Sequence, residues 1–84
     1  MAMQYRYLID QAVDEMIENA SRRDQRVLRD FFRFLGRQPS TVGDEQVPDA
    51  SGRVNQVKWH DRFVITYWVD HLAHEVRIVA VEFL

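Results

Sequence analysis

The apolar residues of this chain change their spacing once, near the middle, and this change constrains the fold more than any other feature of the sequence. Before residue 38 they recur every three or four positions, as on one face of a helix. After residue 52 they alternate with polar residues, as in half-buried strands. A chain of 84 residues with this order of patterns is predicted to form one α+β domain, residues 1–84.

Two amphipathic helices are predicted in the first half, with almost no residues between them. The first follows Asp10, a residue type that often occupies the N-cap position. The second begins at Ser21, which with Asp24 resembles a capping box, and is predicted to end at Gly36, shortly before Pro39. The two helices are therefore expected to form an αα-hairpin.

Three strands are predicted in the second half, over residues 53–59, 63–70 and 75–83, because these segments are rich in β-branched and aromatic residues. Short turns join them, so they are predicted to form an antiparallel meander. A short strand over residues 4–8 is predicted before the helices, and residues 38–52 are predicted to be a loop.

The register of the meander follows if apolar residues share the face that packs on the helices. A three-residue turn over 60–62 sets Trp59 opposite Phe63, and the next turn sets Trp68 opposite Arg77. The predicted helix-facing residues are Val57, Trp59, Phe63, Ile65, Tyr67, Val69, Val76, Ile78 and Ala80. The other face is also partly apolar, which is typical of a partner-binding surface. Its predicted partner-binding residues are Val64, Trp68, Val79, Val81 and Phe83.

Composition excludes several classes of site. The chain has no cysteine, so disulfides, thiolate zinc sites and cysteine nucleophiles are excluded. No apolar run approaches the roughly 18 residues of a membrane span. We therefore expect a cytoplasmic protein with no membrane association and no cofactor. The net charge of −2 argues against nucleic-acid binding by bulk charge.

The three histidines and the arginines of the second helix are weighed separately. His60 lies in one predicted turn and His71 and His74 in the other, so polar turn residues are favoured over a general base or a zinc site with Asp70 or Glu75.

Six arginines lie between residues 22 and 37, interleaved with acidic residues. The spacing predicts Arg26–Asp30 and Asp30–Arg33 ion pairs on a solvated face. An acidic partner or nucleic acid is the alternative. Phe34 lies off the apolar stripe and is a candidate contact for a partner or a second copy.

Several segments resemble a known family. Residues 52–58 resemble its second strand, residues 61–70 its third and residues 76–81 its last, while residues 35–39 match the end of its second helix. With the order of a strand, two helices and three strands, the chain resembles the RelE/ParE superfamily. Its members are the toxins of bacterial type II toxin–antitoxin pairs, also known from plasmid stabilization.

The resemblance implies a RelE-like function, that of a ribosome-dependent mRNA interferase, an endoribonuclease that inhibits translation. It places the candidate catalytic cations at Arg53, Lys58 and Arg77. Cleavage needs a cation beside the phosphate and groups that move protons at the ribose and the leaving oxygen. The third-strand position at which family nucleases have arginine is Val64 here, and the last basic position falls near Phe83 and Leu84, so the catalytic set is incomplete.

The resemblance also implies partners: a cognate antitoxin, and either the ribosome with mRNA or DNA gyrase. A homodimer is a further expectation. The alternative function is a non-catalytic interaction protein, either a ParE-like gyrase inhibitor or an inactive toxin homologue. Such a protein would bind its partner through the open sheet face.

Overall fold

A computed structural model describes residues 4–84 of the chain. The elements are β1 (Arg6–Ile9), α1 (Gln11–Glu18), α2 (Arg22–Arg37), β2 (Glu45–Pro48), β3 (Val54–His60), β4 (Phe63–Asp70) and β5 (Glu75–Phe83). The strands of the described residues form one sheet in the order β1-β5-β4-β3-β2. β1 runs parallel to β5, and the other neighbours are antiparallel. The predicted α+β architecture, with an N-terminal strand, two helices and a meander, is confirmed.

The hydrophobic core lies between the two helices and the middle of the sheet. The helices contribute Val13, Ile17, Leu28, Phe31, Phe32 and Leu35. The strands contribute Phe63, Ile65, Tyr67, Val76, Ile78 and Val81. Burying one such large apolar side chain stabilises the fold by about 1.5–3 kcal/mol. These six helical side chains are therefore the residues that hold the helices on the sheet.

The ends of the helices differ in part from the prediction. The Asp24 backbone N–H donates to the Ser21 hydroxyl oxygen at 3.1 Å, which confirms the N-cap of α2. Asp10 occupies the N-cap position of α1, but its side chain makes no capping hydrogen bond. Gly36 does not end α2, which continues through Arg37.

Gly36 is explained by a close approach of the chain instead. Its carbonyl accepts a hydrogen bond from the Tyr5 backbone N–H at 2.8 Å. A Cβ atom at position 36 would lie 2.5 Å from the Tyr5 carbonyl oxygen. Glycine at this position therefore lets the backbone before β1 lie directly against the last turn of α2.

The segment predicted as a loop contains an additional strand, β2, which pairs with β3 at the edge of the sheet. Gly43 allows the approach, since a Cβ there would lie 2.6 Å from the Val57 carbonyl oxygen. The Gly43 N–H donates to the Gln56 side-chain oxygen at 2.8 Å. Every residue of β2 is exposed and the strand includes Pro48, as is common in edge strands, so it lacks the apolar alternation on which strand prediction depends.

The predicted register of β3 is wrong by one residue. The turn is Asp61-Arg62, so His60 pairs with Phe63 and Trp59 pairs with Val64. Val57 and Trp59 therefore lie on the open face, and the alternate residues of β3 face the helix side. The helices pack mainly on β1 and β5, with β4 in the same core, and β3 lies at the edge of the helical layer. Burial therefore does not require apolar residues on the helix side of this strand.

Ion pairs hold this turn against the start of α2. Asp24, which is 5% exposed, accepts hydrogen bonds from the Arg62 guanidinium at 2.7 and 3.2 Å. Arg23 lies 3.2 Å from the Asp61 carboxylate. This Arg23 contact is the largest cause that lowers the pKa of Asp61. Asp61 itself has a φ of 57°, a left-handed conformation that aspartate tolerates in turns.

The face assignment at the end of β5 is also wrong. Thr66 pairs with Ala80 but Tyr67 pairs with Ile78, so Val79 is the extra residue of a β-bulge. Beyond the bulge the two faces exchange. Ala80, predicted to face the helices, therefore lies on the open face. Val81 and Phe83, predicted on the open face, lie on the helix side, where Val81 is 8% exposed and the Phe83 ring is 5.0 Å from that of Phe63.

Candidate functional site on the open sheet face

Two arginines and a tryptophan meet on the face of the sheet opposite the helices. The Arg53 guanidinium carbon lies 4.1 Å from the centre of the Trp68 ring, and that of Arg77 lies 5.9 Å from it. The predicted pairing of Trp68 with Arg77 is confirmed. We call Arg53, Trp68 and Arg77 the open-face cluster. Both distances fall within the range of cation–π attraction, which contributes about 0.5–1 kcal/mol at exposed sites.

A tight turn before β3 orients Arg53. The Asp49 carboxylate accepts hydrogen bonds from the Ser51 hydroxyl at 2.6 Å and from the Arg53 side chain at 3.1 Å. The Ser51 hydroxyl is the largest cause that lowers the pKa of Asp49 below its usual value. Gly52 has a φ of 85°, so the turn uses a conformation that favours glycine. The Arg53 side chain is thus held from one side and turned toward Trp68.

A buried carboxylate orients Arg77. Glu75 is 6% exposed and lies 3.3 Å from Arg77 and 2.5 Å from Arg6. A guanidinium has five N–H donors, and Glu75 uses few of them. Arg77 pairs with Trp68 on the open face, where its side chain is 39% exposed. The cluster therefore presents two oriented cations beside one aromatic ring.

Lys58, the third predicted catalytic cation, is not part of this cluster. Because of the register of β3, it lies on the helix side, where its ammonium is 3.4 Å from the Asp44 carboxylate. It lines an open cleft of 410 Å³ together with Asp30, Phe31, Phe34 and His60. The structure thus brings together two of the three predicted cations and separates the third from them by the thickness of the sheet.

The apolar surroundings of the cluster are only partly those predicted. Val64 and Trp68 lie on the open face, Val79 forms the bulge, and Val81 and Phe83 lie on the other side. Trp59, which is 43% exposed, pairs with Val64 and was missed on this face. The two-residue turn at Asp61 is the signal that would have revealed it, since aspartate is common in tight turns.

The histidines do not converge with the open-face cluster. The His60 ring stacks on Phe31 on the helix side, with ring centres 4.3 Å apart. The Tyr5 hydroxyl lies 3.0 Å from His71 Nδ1, and the His74 ring is 5.0 Å from the Tyr5 ring. Residues 4–84 contain no group of three potential metal-ligand side chains. They also contain no helix long and apolar enough to cross a membrane.

Comparison with known proteins supports the fold. No protein-family model matches the chain, and no curated protein matches its sequence. The structure is similar to a chain in the crystal structure of the toxin–antitoxin complex RelBE2 from Mycobacterium tuberculosis, with a TM-score of 0.79 and 16% sequence identity. The match covers 96% of this chain and 99% of that one. The protein therefore shares the fold of that chain over almost its whole length, as the resemblance of its sequence implied.

Proposed function

We propose that this protein is the toxin of a toxin–antitoxin pair and acts as a RelE-like mRNA interferase that binds RNA on its open sheet face. The observation that carries the proposal is the convergence of Arg53 and Arg77 on Trp68, on the side that the helices leave uncovered. The RelE-type fold over nearly the whole chain supports the same function.

The open-face cluster has the chemistry that single-stranded RNA requires. Proteins bind unpaired bases by stacking them against aromatic side chains, and they bind the backbone through cations. Trp68 supplies the aromatic ring, and the two guanidinium groups can each take a phosphate beside it. Asp49 and Glu75 hold the arginines in place before RNA binds, so the cations need little rearrangement to stabilise charge at a strained phosphate.

The partners follow from this function. The neighbouring structure is a toxin–antitoxin complex, and we propose a cognate antitoxin for this chain as well. The proposed substrate is mRNA on the ribosome, which places the protein in the cytoplasm. An antitoxin segment that covers Trp59, Val64 and Trp68 would block RNA and bury apolar side chains in one step.

Cell-free translation with the purified chain tests the proposal. We expect the protein to inhibit translation and to cleave ribosome-bound mRNA, with cleavage sites mapped by primer extension. Arg53→Ala and Arg77→Ala are each expected to slow cleavage by about 100-fold or more, the usual effect of removing a group that stabilises transition-state charge.

Lys58→Ala is the matched control, because it removes a cation from the opposite face of the sheet. We expect its cleavage rate to stay near that of the parent protein. Circular dichroism checks that all three variants fold. If the parent protein neither inhibits translation nor cleaves mRNA, the nuclease proposal fails. If Lys58→Ala loses as much activity as Arg77→Ala, the open face is not the site.

A non-catalytic toxin is the second candidate, and the position of Val64 favours it. Val64 replaces the third-strand arginine implied by the resemblance, and the nearby face is apolar. Groups that could move a proton, such as Lys58, His60 and Tyr67, lie on the helix side. Such a protein would act by binding, as a gyrase inhibitor or an inactive homologue.

Val64→Arg separates the two candidates. A nuclease that binds RNA on this face gains a cation beside the substrate, so cleavage is expected to rise. A toxin that binds a protein partner through apolar contacts loses affinity when a charge is placed there. Inhibition of gyrase supercoiling, and co-purification with a co-expressed candidate antitoxin, give the second readout.

A further inference from the structure

The exposed side of α2 carries a line of arginines that the proposed function does not use. The residues are Arg22, Arg26, Arg29, Arg33 and Arg37, and we call them the arginine stripe. At about 100° per residue they fall within an arc of about 80°. The buried residues of the helix, such as Leu28 and Leu35, lie on the opposite side.

Of the two ion pairs that the sequence predicts on this helix, Asp30–Arg33 is formed and Arg26–Asp30 is not. Arg33 lies 3.7 Å from an Asp30 carboxylate that is itself mostly exposed. Within residues 4–84, no carboxylate lies at ion-pair distance from the other four guanidinium groups. The stripe is therefore a row of nearly unneutralised cations and not the salt-bridged face that the sequence suggested.

The spacing of these arginines opposes helix stability. Arg22 and Arg26 are four residues apart, as are Arg29 and Arg33, and like charges at this spacing destabilise a helix by about 0.2–0.5 kcal/mol per pair. The chain as a whole carries a net charge of −2, yet five of its eleven basic residues lie on this one line. An unfavourable concentration of one charge is the usual footprint of a polyanion ligand.

The geometry points to the phosphate backbone of double-stranded nucleic acid as the ligand of the arginine stripe. From Arg22 to Arg37 the stripe extends about 22 Å, with successive arginines about 4.5–6 Å apart along the axis. A duplex presents phosphates every ~3.4 Å of axis on each strand, so the stripe spans about six base-pair steps. Arginine binds phosphate oxygens in a bidentate manner, and a convex helix fits against a groove.

A duplex is favoured over an acidic peptide by the length and straightness of the stripe. Its charges are held at even intervals on a rigid helix, and a duplex is a stiff polyanion whose phosphates are also evenly spaced along its winding strands, whereas a flexible acidic peptide loses conformational entropy when it is ordered along the stripe. The stripe is also distinct from the open-face cluster, since α2 lies on the other side of the sheet. The inference therefore stands whether or not the open face cleaves mRNA.

Fluorescence anisotropy of the full chain with labelled duplexes tests the inference. Five phosphate contacts give a salt slope of about −4.5, so affinity is expected to fall about 500-fold between about 50 and 200 mM salt. The triple variant Arg26→Gln/Arg29→Gln/Arg33→Gln keeps two contacts if the stripe is the site. Its affinity is expected to be weaker at every salt concentration and to fall by only about 12-fold over the same range.

The control is Arg53→Gln/Lys58→Gln/Arg77→Gln, which changes the net charge equally without touching α2. It is expected to keep the parent salt slope with duplexes and to lose affinity for single-stranded RNA. Removing arginines from the stripe relieves repulsion, so the stripe variant should fold at least as stably as the parent, which thermal unfolding checks.

Similar affinities for RNA and DNA duplexes support recognition of the phosphate backbone, which both share. A higher affinity for one of them also supports the inference and shows whether the ligand is RNA or DNA. The inference is overturned if the control loses duplex affinity as much as the stripe variant does, since bulk charge then explains binding. It is also overturned if single-stranded RNA alone binds, or if polyglutamate competes as well as duplex does, because the ligand is then a different polymer.

Discussion

β4 and β3 are neighbours in one sheet and both are predicted as strands from the sequence, yet they are buried to different extents. In β4, alternate residues Phe63, Ile65 and Tyr67 are fully buried under the helices. In β3, none of the seven residues is buried, and its largest side chain, Trp59, faces the open side. An alternating pattern therefore predicts a strand but does not indicate which of its two faces is covered by the helices.

The low burial of β3 matters for function because this strand places accessible side chains on both faces of the sheet. Its open side brings Trp59 to the apolar surroundings of the open-face cluster, and its helix side brings Lys58 and His60 to a cleft beside α2. In β4, one face is buried in the core and the other carries Trp68, which belongs to the open-face cluster. A strand at the edge of the helical layer can thus present polar groups on both sides.

Core deletion gives the largest expected difference between the two strands. Phe63→Ala removes a fully buried ring from β4, and we expect a loss of about 3–5 kcal/mol in unfolding free energy. Trp59→Ala in β3 is expected to cost about 1 kcal/mol, because the indole is half exposed. Urea unfolding followed by circular dichroism measures both.

Phe63→Leu, expected to cost about 1.5 kcal/mol or less, gives a value if the alanine variant does not fold. Equal losses for the alanine variants at positions 59 and 63 would show that β3 packs in the core as β4 does.

The next largest loss of stability is expected when the ion pair between Asp24 of α2 and Arg62 of the β3–β4 turn is removed. Asp24→Ala leaves Arg62 without its buried carboxylate partner, which we expect to cost about 2 kcal/mol. Asp30→Ala, on the same helix but exposed, is expected to change stability by no more than about 0.5 kcal/mol. Thermal unfolding of the two variants compares them, and a similar loss for both would mean that burial of Asp24 contributes nothing.

Tyr67 in β4 is expected to make the stability of the fold decrease at alkaline pH. Burial raises the pKa of Tyr67 to about 12, and its hydroxyl donates to the Thr41 carbonyl at 2.9 Å. Because the folded pKa lies above the usual value near 10, this stabilisation is complete below about pH 10 and is lost as the pH rises toward 12. Tyr67→Phe is expected to cost about 1 kcal/mol at neutral pH and to flatten that alkaline loss.

Denaturant unfolding between pH 8 and pH 12 measures this response. The parent and the phenylalanine variant are expected to converge at the alkaline end. Parallel pH profiles for the two proteins would show that another group causes the alkaline loss.

The smallest effect on stability is expected for a backbone hydrogen bond of β3, the one between Trp59 and Asp44. The Trp59 backbone N–H donates to the Asp44 carboxylate at 2.8 Å. This hydrogen bond is the largest of the causes that lower the pKa of Asp44. The stabilisation is present above the usual aspartate pKa and is lost as the pH falls below it, toward the folded value. Asp44→Ala is expected to speed hydrogen exchange at the Trp59 amide while the melting temperature moves by less than about 2 °C. Unchanged exchange at that amide, seen by NMR, would contradict the assignment.

Part of the candidate site could be predicted from the sequence, and turn length and strand irregularities explain why the rest could not. Trp68 and Arg77 were paired correctly because a short turn links β4 to β5 and no irregularity lies between the turn and the pair. Lys58 was placed on the wrong face because a two-residue turn shifts the register of β3 by one, and one residue exchanges the faces. Val81 and Phe83 were misplaced for the same reason, since the bulge at Val79 adds one residue to β5.

The two helices, the strands of the meander and the pairing of Trp68 with Arg77 are predictable from the amino-acid sequence alone. Local periodicity and turn chemistry specify these features, and they depend on neighbours close in the chain. Three features are visible only in the folded protein: the face on which each residue of β3 lies, the position of the bulge in β5, and the pairing of β2 with β3 at the edge of the sheet. These features depend on how far the helices extend across the sheet, which is a relation between elements that no local pattern encodes.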